Sequence, residues 1–176
     1  PKDFLNSLFK ILSVDLDVSG TRADWGVVIV KQVFLWSLLL WVAACEQPVF
    51  DVVDGPGLVP SDLEGQWLVI NYWATWCGPC ITEIPELNEM HHNSEYPIKV
   101  LGVDFDAPVE IEAKRSAILK MKIDFPVLAN DPAPRFGYGL PEVLPTTVII
   151  DPSGAVSRTL VGPQTEASIL AAIDLN

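Results

Sequence analysis

The sequence predicts an α/β fold, a mixed central sheet flanked by helices. Two observations carry this. Through the middle of the chain, β-branched and aromatic runs alternate with helical apolar patterns, the order that builds parallel strands. At the end, a strand–turn–strand pattern is followed by one more helix, which adds antiparallel pairing to the same sheet.

Val49-Phe50-Asp51-Val52-Val53 reads as a short strand, an N-terminal β extension that stops at the turn residues Asp54-Gly55-Pro56-Gly57. Ser61-Asp62-Leu63-Glu64 has capping-box spacing and ends at Gly65, which predicts a single helical turn. Trp67 to Trp73 (WLVINYW) has the composition of a buried strand. Gly78 to His92 carries Ile81, Ile84, Leu87 and Met90 at three-residue steps and reads as an amphipathic helix, with a kink expected at Pro85. Ile98 to Asp104 is a second buried strand. Glu110 to Lys122 is helix-prone, with Ile111, Ile118 and Met121 as its expected inner face. Phe125 to Leu128 starts a short extended piece. Thr146 to Ile150 is strand, Asp151-Pro152-Ser153-Gly154 is a turn, Ala155 to Val161 returns as strand, and Thr165 to Leu175 closes as a helix.

A length of 176 residues fits one domain. Apolar residues make up 49% and charged residues 19%, which excludes a disordered acidic tail. The net charge of −12 leaves no basic stripe to neutralise phosphates, so no nucleic-acid partner is expected. From Glu46 onward, seven Lys and Arg stand against nineteen Asp and Glu, so this segment carries the whole imbalance. The three cysteines are too few for a disulfide-stapled scaffold.

The first 45 residues read as separate from the domain at 46–176. Val33 to Val42 is uncharged, follows Lys31, and leads into Ala43-Ala44-Cys45. A positive flank, a short apolar core and a small-residue exit describe a secretory signal over residues 27–45. Val42-Ala43-Ala44-Cys45 also resembles a bacterial lipobox, which implies that Cys45 is the lipid attachment site. The alternatives are an uncleaved anchor over Gly26 to Cys45 with Lys31 snorkelling, or a buried core helix. Residues 1–26 fit neither signal nor anchor, since Lys2, Lys10 and Arg22 are offset by Asp3, Asp15, Asp17 and Asp24. They are expected to be upstream translation, with the true start near Val27 to Val30, or else a disordered segment.

Cys77-Gly78-Pro79-Cys80 carries the chemistry. Two cysteines at i and i+3 across a strand-to-helix junction place Cys77 where unpaired N–H groups and the helix dipole favour a thiolate. Pro79 falls in the first turn, where its missing N–H costs nothing. Cys77 is then the attacking sulfur and Cys80, one turn inside, the resolving one. The competing readings are a zinc half-site and an inert structural disulfide. Zinc needs four ligands, and no second C-x-x-C exists. The loop closed by such a disulfide is too small to add much stability. His91 and His92 read as solvated helix-end residues.

Asn71-Tyr72-Trp73-Ala74-Thr75-Trp76-Cys77-Gly78-Pro79-Cys80 resembles the active-site segment of thioredoxin-fold proteins, most of all the TlpA/ResA-type thiol-disulfide oxidoreductases. Leu144-Pro145-Thr146-Thr147 and the strand and turn after it resemble that family's cis-proline loop, and the similarity runs over about residues 47–175. The resemblance implies a thioredoxin-like fold in which Asp104 to Phe125 is a central strand–helix insert. It also implies that Pro145 is cis and faces the cysteine pair. With no N–H at Pro145, the backbone of Leu144 is free to pair with an extended client. Gly78, Pro79 and Trp76 are expected to shape the same docking surface, with core packing the competing role for Trp76. Asn71 stands where thioredoxins carry a buried Asp and cannot take a proton. Glu83, three residues past Cys80, is implied as the proton-transfer group, against the alternative of a solvated surface Glu. Arg135 to Tyr138, with Pro141 and Glu142, form either one edge of the groove or a surface loop with a packed aromatic.

The function expected is an extracytoplasmic, membrane-attached thiol-disulfide oxidoreductase, working mainly as a reductase. Its clients are disulfide-bearing proteins or apocytochromes, and a membrane thiol donor supplies its electrons. No metal or organic cofactor is expected beyond the Cys77–Cys80 disulfide. The alternatives are a peroxiredoxin-like peroxidase using Cys77, or a tethered module that binds extended clients without turnover.

Overall fold

The computed structural model describes residues 49–93 and 95–173. The apolar run Val33–Val42, the expected lipid site Cys45 and residues 1–26 lie outside the described residues. After a 3-10 turn at Pro60–Asp62, the elements are β1 (Trp67–Trp73), α1 (Gly78–His92), β2 (Ile98–Asp104), α2 (Ile111–Met121), α3 (Ala133–Phe136), β3 (Thr146–Ile150), β4 (Val156–Val161) and α4 (Glu166–Ala172).

The four strands form one sheet in the order β2-β1-β3-β4. β1 runs parallel to β2, with Asn71 opposite Gly102, and antiparallel to β3, with Asn71 opposite Thr147. The parallel pair requires a crossover, which α1 supplies. The antiparallel hairpin β3–β4 turns at Asp151, whose carboxylate accepts the N–H groups of Ser153 and Ala155 at 2.8 and 3.0 Å. The sheet is therefore mixed, as the order of sequence patterns predicts. β1 and β3 are almost wholly buried, whereas β4 is an exposed edge.

Alternation along β1 sorts its side chains onto two faces. Val69 and Trp73 join Ile84, Leu87 and Met90 of α1 and Ile169 of α4 in one cluster. Leu68, Ile70 and Tyr72 pack on the other face with Phe50, Leu58 and Leu128, and with half-buried Phe136 and Tyr138. Asn71 has the parity of Val69 and Trp73, so it belongs to the α1 face. Close packing also explains Gly102: a Cβ there would stand 2.9 Å from the Phe125 ring, 3.0 Å from Trp73 Nε1 and 3.1 Å from Val127.

Several local expectations change. The N-terminal extension is no continuous strand: Phe50 bridges Leu58 and Val52 bridges Leu128, each in isolation. The helical turn begins one residue before Ser61, and the Asp62 carboxylate accepts the Val59 N–H at 2.9 Å, so the cap is placed earlier than the Ser61 spacing suggests. In the insert α2 forms, and the extended piece expected after it at Phe125 to Leu128 is reduced to isolated bridges of Val127 with Gly102 and Leu128 with Val52. Of the expected inner face of α2, Met121 is buried and Ile118 packs against the core, while Ile111 in the first turn is exposed. α1 continues through Pro85 as one helix of 15 residues.

Candidate active site

β1 passes into α1 through Ala74-Thr75-Trp76. The Cys77 N–H donates to the Ala74 carbonyl at 3.1 Å, and this turn makes Cys77 the N-cap of α1 with an extended backbone. Its Sγ accepts the Cys80 N–H at 3.2 Å, so the sulfur takes the position that a Ser or Asp oxygen takes in an ordinary cap. Pro79 lies in the first turn, where no N–H is needed. The two sulfurs are joined in a disulfide across a Cα–Cα distance of 5.3 Å. Cys77 keeps 4% of its surface exposed and Cys80 none, so Cys77 is the member of the pair that solvent reaches.

Leu144–Pro145 is cis. Thr146 pairs with Tyr72 near the C-terminal end of β1, so Pro145 lies at the end of the sheet from which the Cys77 turn departs. Pro145 is buried, and its carbonyl accepts the Gly162 N–H at 2.9 Å. Half-buried Leu144 touches both core clusters. Trp76 is 65% exposed, which removes its core-packing role. Its indole N–H points at both carboxylate oxygens of Asp106, at 3.1 Å each. Gly78, Pro79, Ile81 and Val143 are also exposed. Beyond Asp106 opens a cleft of about 730 Å³, whose walls include Tyr72, Asp104, Val109, Lys114, Tyr138 and Leu140.

Glu83 is the largest departure from a simple amphipathic reading. A three-residue step from Ile81 drifts around a helix of 3.6 residues per turn, and Ile81 is 52% exposed. The inner stripe is instead Cys80, Glu83, Ile84, Leu87 and Met90. Glu83 is therefore on the same side of α1 as Cys80, one turn farther in, and only 2% exposed, not a solvated surface residue. Its Oε1 accepts from Asn71 Nδ2 at 2.8 Å and its Oε2 accepts from the Gln164 N–H at 2.8 Å. Burial pushes the carboxyl up to about 7, against the opposing pull of these two hydrogen bonds. A carboxyl so poised exchanges a proton readily near neutral pH.

Asn71 also donates to Thr147 Oγ1 at 3.1 Å. Sequence reasoning missed Thr147 and Gln164 as partners of this cluster. Thr147 is visible in the sequence only as part of a motif, and Gln164 acts through its backbone, which leaves no mark in residue identity. Asp106 was missed because nothing in its neighbourhood marks it as a partner for an indole 30 residues away.

Within Arg135–Tyr138, Phe136 and Tyr138 are half-buried while Arg135 and Gly137 are exposed. Phe136 stacks with Tyr138 and lies against Phe50, which supports the packed-aromatic reading. His91 is half-buried, and burial followed by the nearby His92 and Lys99 pushes it down; His92 is exposed, 3.7 Å from Asp124. Among the described residues, no group of three or more His, Cys, Asp or Glu side chains is placed to hold a metal ion. No helix among them is long and apolar enough to cross a membrane.

A model of the AhpC/TSA family matches residues 50–159. The thiol-disulfide oxidoreductase ResA of a Bacillus cereus strain is 32% identical over 127 residues, 70% of this chain and 72% of that protein. ResA of Bacillus subtilis (strain 168) is 32% identical over 126 residues, 69% of this chain and 67% of that protein. Among solved structures, StoA from Bacillus subtilis superposes with a TM-score of 0.55 at 20% identity, over 70% of this chain and 92% of that one. A putative thiol:disulfide interchange protein DsbE from Chlorobium tepidum gives 0.52 at 27% identity, over 72% and 94%.

Proposed function

The chain belongs to the AhpC/TSA family and stands with the ResA-like thiol-disulfide oxidoreductases of the thioredoxin superfamily, and from that premise we propose that it reduces client disulfides through Cys77, Cys80 and Glu83. The observation that supports this reading is a disulfide at the head of α1 with a buried carboxyl one turn inside it.

The cycle starts from the dithiol. The Cys77 thiolate, favoured by the N-terminal N–H groups and dipole of α1, attacks one client sulfur. A Cys77–client disulfide forms, and the other client sulfur leaves as a thiolate. Glu83 takes the proton of the Cys80 thiol. The Cys80 thiolate then attacks Cys77 Sγ, which closes the Cys77–Cys80 disulfide and expels the second client thiolate. Two electrons have moved from the protein to the client, and an external thiol donor must restore them. The client lies extended past Pro145, whose lack of an N–H leaves the Leu144 backbone open to a strand-like partner. Gly78, Pro79 and exposed Trp76 form the facing wall.

Disulfide-bearing exported proteins or apocytochromes are the clients, and a membrane thiol carrier the donor. The domain is held at an extracytoplasmic membrane surface by a lipid on Cys45 or by an anchor over residues 27–45. No cofactor beyond the disulfide is used. Turnover of insulin disulfides, and none of hydrogen peroxide, is the expected result. Peroxide turnover with no insulin reduction would replace this reading with a peroxidase. A membrane-bound fraction lost in Cys45→Ser is expected for lipid attachment, and an unchanged fraction contradicts it.

A further inference from the structure

Asn71 is wholly buried, and its amide is used on one side only. Nδ2 donates to Glu83 Oε1 at 2.8 Å and to Thr147 Oγ1 at 3.1 Å. Oδ1 has no hydrogen-bond partner among the described residues. A buried, idle amide oxygen loses its hydration without replacement and calls for a reason.

Glu83 supplies one. Both of its carboxyl oxygens face donors, Asn71 Nδ2 and the Gln164 N–H. That arrangement suits the anion. A protonated Glu83 carries an O–H, and the Gln164 N–H offers it no acceptor. The idle acceptor beside it is Asn71 Oδ1, which a half-turn of the amide about Cβ–Cγ brings into the place of Nδ2. Thr147 permits this, because a hydroxyl that accepts from Nδ2 can equally donate to Oδ1. Each orientation leaves one end of the amide unpaired, so neither is strongly preferred by itself, and the proton on Glu83 decides between them.

We propose that Asn71 is a positioning residue whose side-chain amide turns over when Glu83 takes the Cys80 proton, donating to the carboxylate before transfer and accepting from the acid after it. This rests on the role given to Glu83 above. In the step, the Cys80 S–H bond breaks and a Glu83 O–H bond forms; no electrons leave the protein. An Asp at this position would add a second charge beside Glu83, and an apolar residue would satisfy neither state. The ionisable groups on elements packed against α1 are Lys99 and Asp104 of β2 and Glu166 of α4; α1 itself carries Cys80, Glu86, Glu89, His91 and His92 besides Glu83, and Cys77 caps it. Burial and the two hydrogen bonds, not these charges, account for the poise of Glu83.

The test uses the full chain labelled with ¹³C and ¹⁵N. The Glu83 carboxyl carbon and the Asn71 side-chain amide are followed by NMR across pH 5 to 9, and the closing of the Cys77–Cys80 disulfide is timed by stopped flow. Asn71 amide signals that titrate with the midpoint of Glu83 support the proposal. So does a roughly tenfold slower second step in Asn71→Ala with an unchanged first step. Amide signals that stay fixed while Glu83 titrates overturn it and leave the role of Glu83 standing. A second-step pH profile unaltered in Glu83→Gln removes that role itself, and the proposal with it. The wild-type NMR arm decides the matter even where Asn71→Ala fails to fold.

Discussion

Asn71 and Tyr72 are neighbours on β1, yet their side chains enter opposite faces of the sheet and meet opposite kinds of polar cluster. On one face, Tyr72 Oη donates to Asp131 Oδ1 at 2.8 Å and lies 2.9 Å from Tyr138 Oη. The same Asp131 oxygen accepts the Ala133 N–H at 2.7 Å. Each group has a partner, burial pushes both phenols up, and Tyr138 reaches about 12, so neither phenol gives up its proton near neutral pH. On the other face, Asn71 and Glu83 leave an acceptor idle and hold a carboxyl at about 7. A satisfied cluster fixes structure; the unsatisfied one, a turn from the disulfide, is where the proposed mechanism moves a proton. The contrast lies in hydrogen-bond completeness and not in depth alone.

The largest effect expected falls on the cysteines. Cys77→Ser abolishes reduction of insulin disulfides, and Cys80→Ser accumulates a mixed disulfide on Cys77 that mass spectrometry of alkylated protein detects. A trapped client on Cys80 in Cys77→Ser, at equal yield, would reverse the order of attack.

Next comes Glu83→Gln, read as stability against pH. The folded state holds the Glu83 carboxyl above its ordinary value, so it favours the protonated form. The associated stability is therefore full below about pH 4.5 and lost as pH rises to about 7, an effect of about 3 kcal/mol. Glu83→Gln, which cannot ionise, should gain on the wild type across that window in urea melts of the oxidised protein. Parallel curves for the two proteins would erase the difference between the two faces.

On the opposite face, Tyr138→Phe removes one hydroxyl from the Tyr72 pair. A loss of about 1 kcal/mol is expected, with kcat/KM and its pH profile unchanged. A shifted profile would show that this cluster also takes part in the chemistry. The smallest effect belongs to Asp106→Ala. Its hydrogen bond to Trp76 is exposed, so stability should change by less than about 0.5 kcal/mol. The Trp76 contribution to the emission spectrum should still shift, and the KM for a protein client should move more than that for a small disulfide.

The legibility of these features follows from where their information lies. β1, α1 and β2 have the boundaries their patterns predict, because each is a long periodic segment ended by turn residues. Val49–Val53 has strand composition, but with isolated bridges at Phe50 and Val52 it forms no ladder. Its β-branched residues report burial against the sheet, and composition does not separate that from strand pairing. The Cys77–Cys80 pair is plain from spacing. Glu83 emerges only through resemblance, since a charged residue inside an apolar stripe reads as surface until its partners are seen. Those partners, Asn71 and the Gln164 N–H, are 12 and 81 residues away in the chain, and tertiary contact alone joins them.

The most direct test is the pH dependence of the step in which Cys80 displaces the client from Cys77. Reduced protein mixed with a small disulfide should show a second phase whose rate rises through an ionisation near pH 7. In Glu83→Gln that phase should be slower by about a hundredfold at pH 8 and lack the ionisation. Identical second-phase profiles in the two proteins would contradict the account, because the buried carboxyl would then have no part in moving the Cys80 proton.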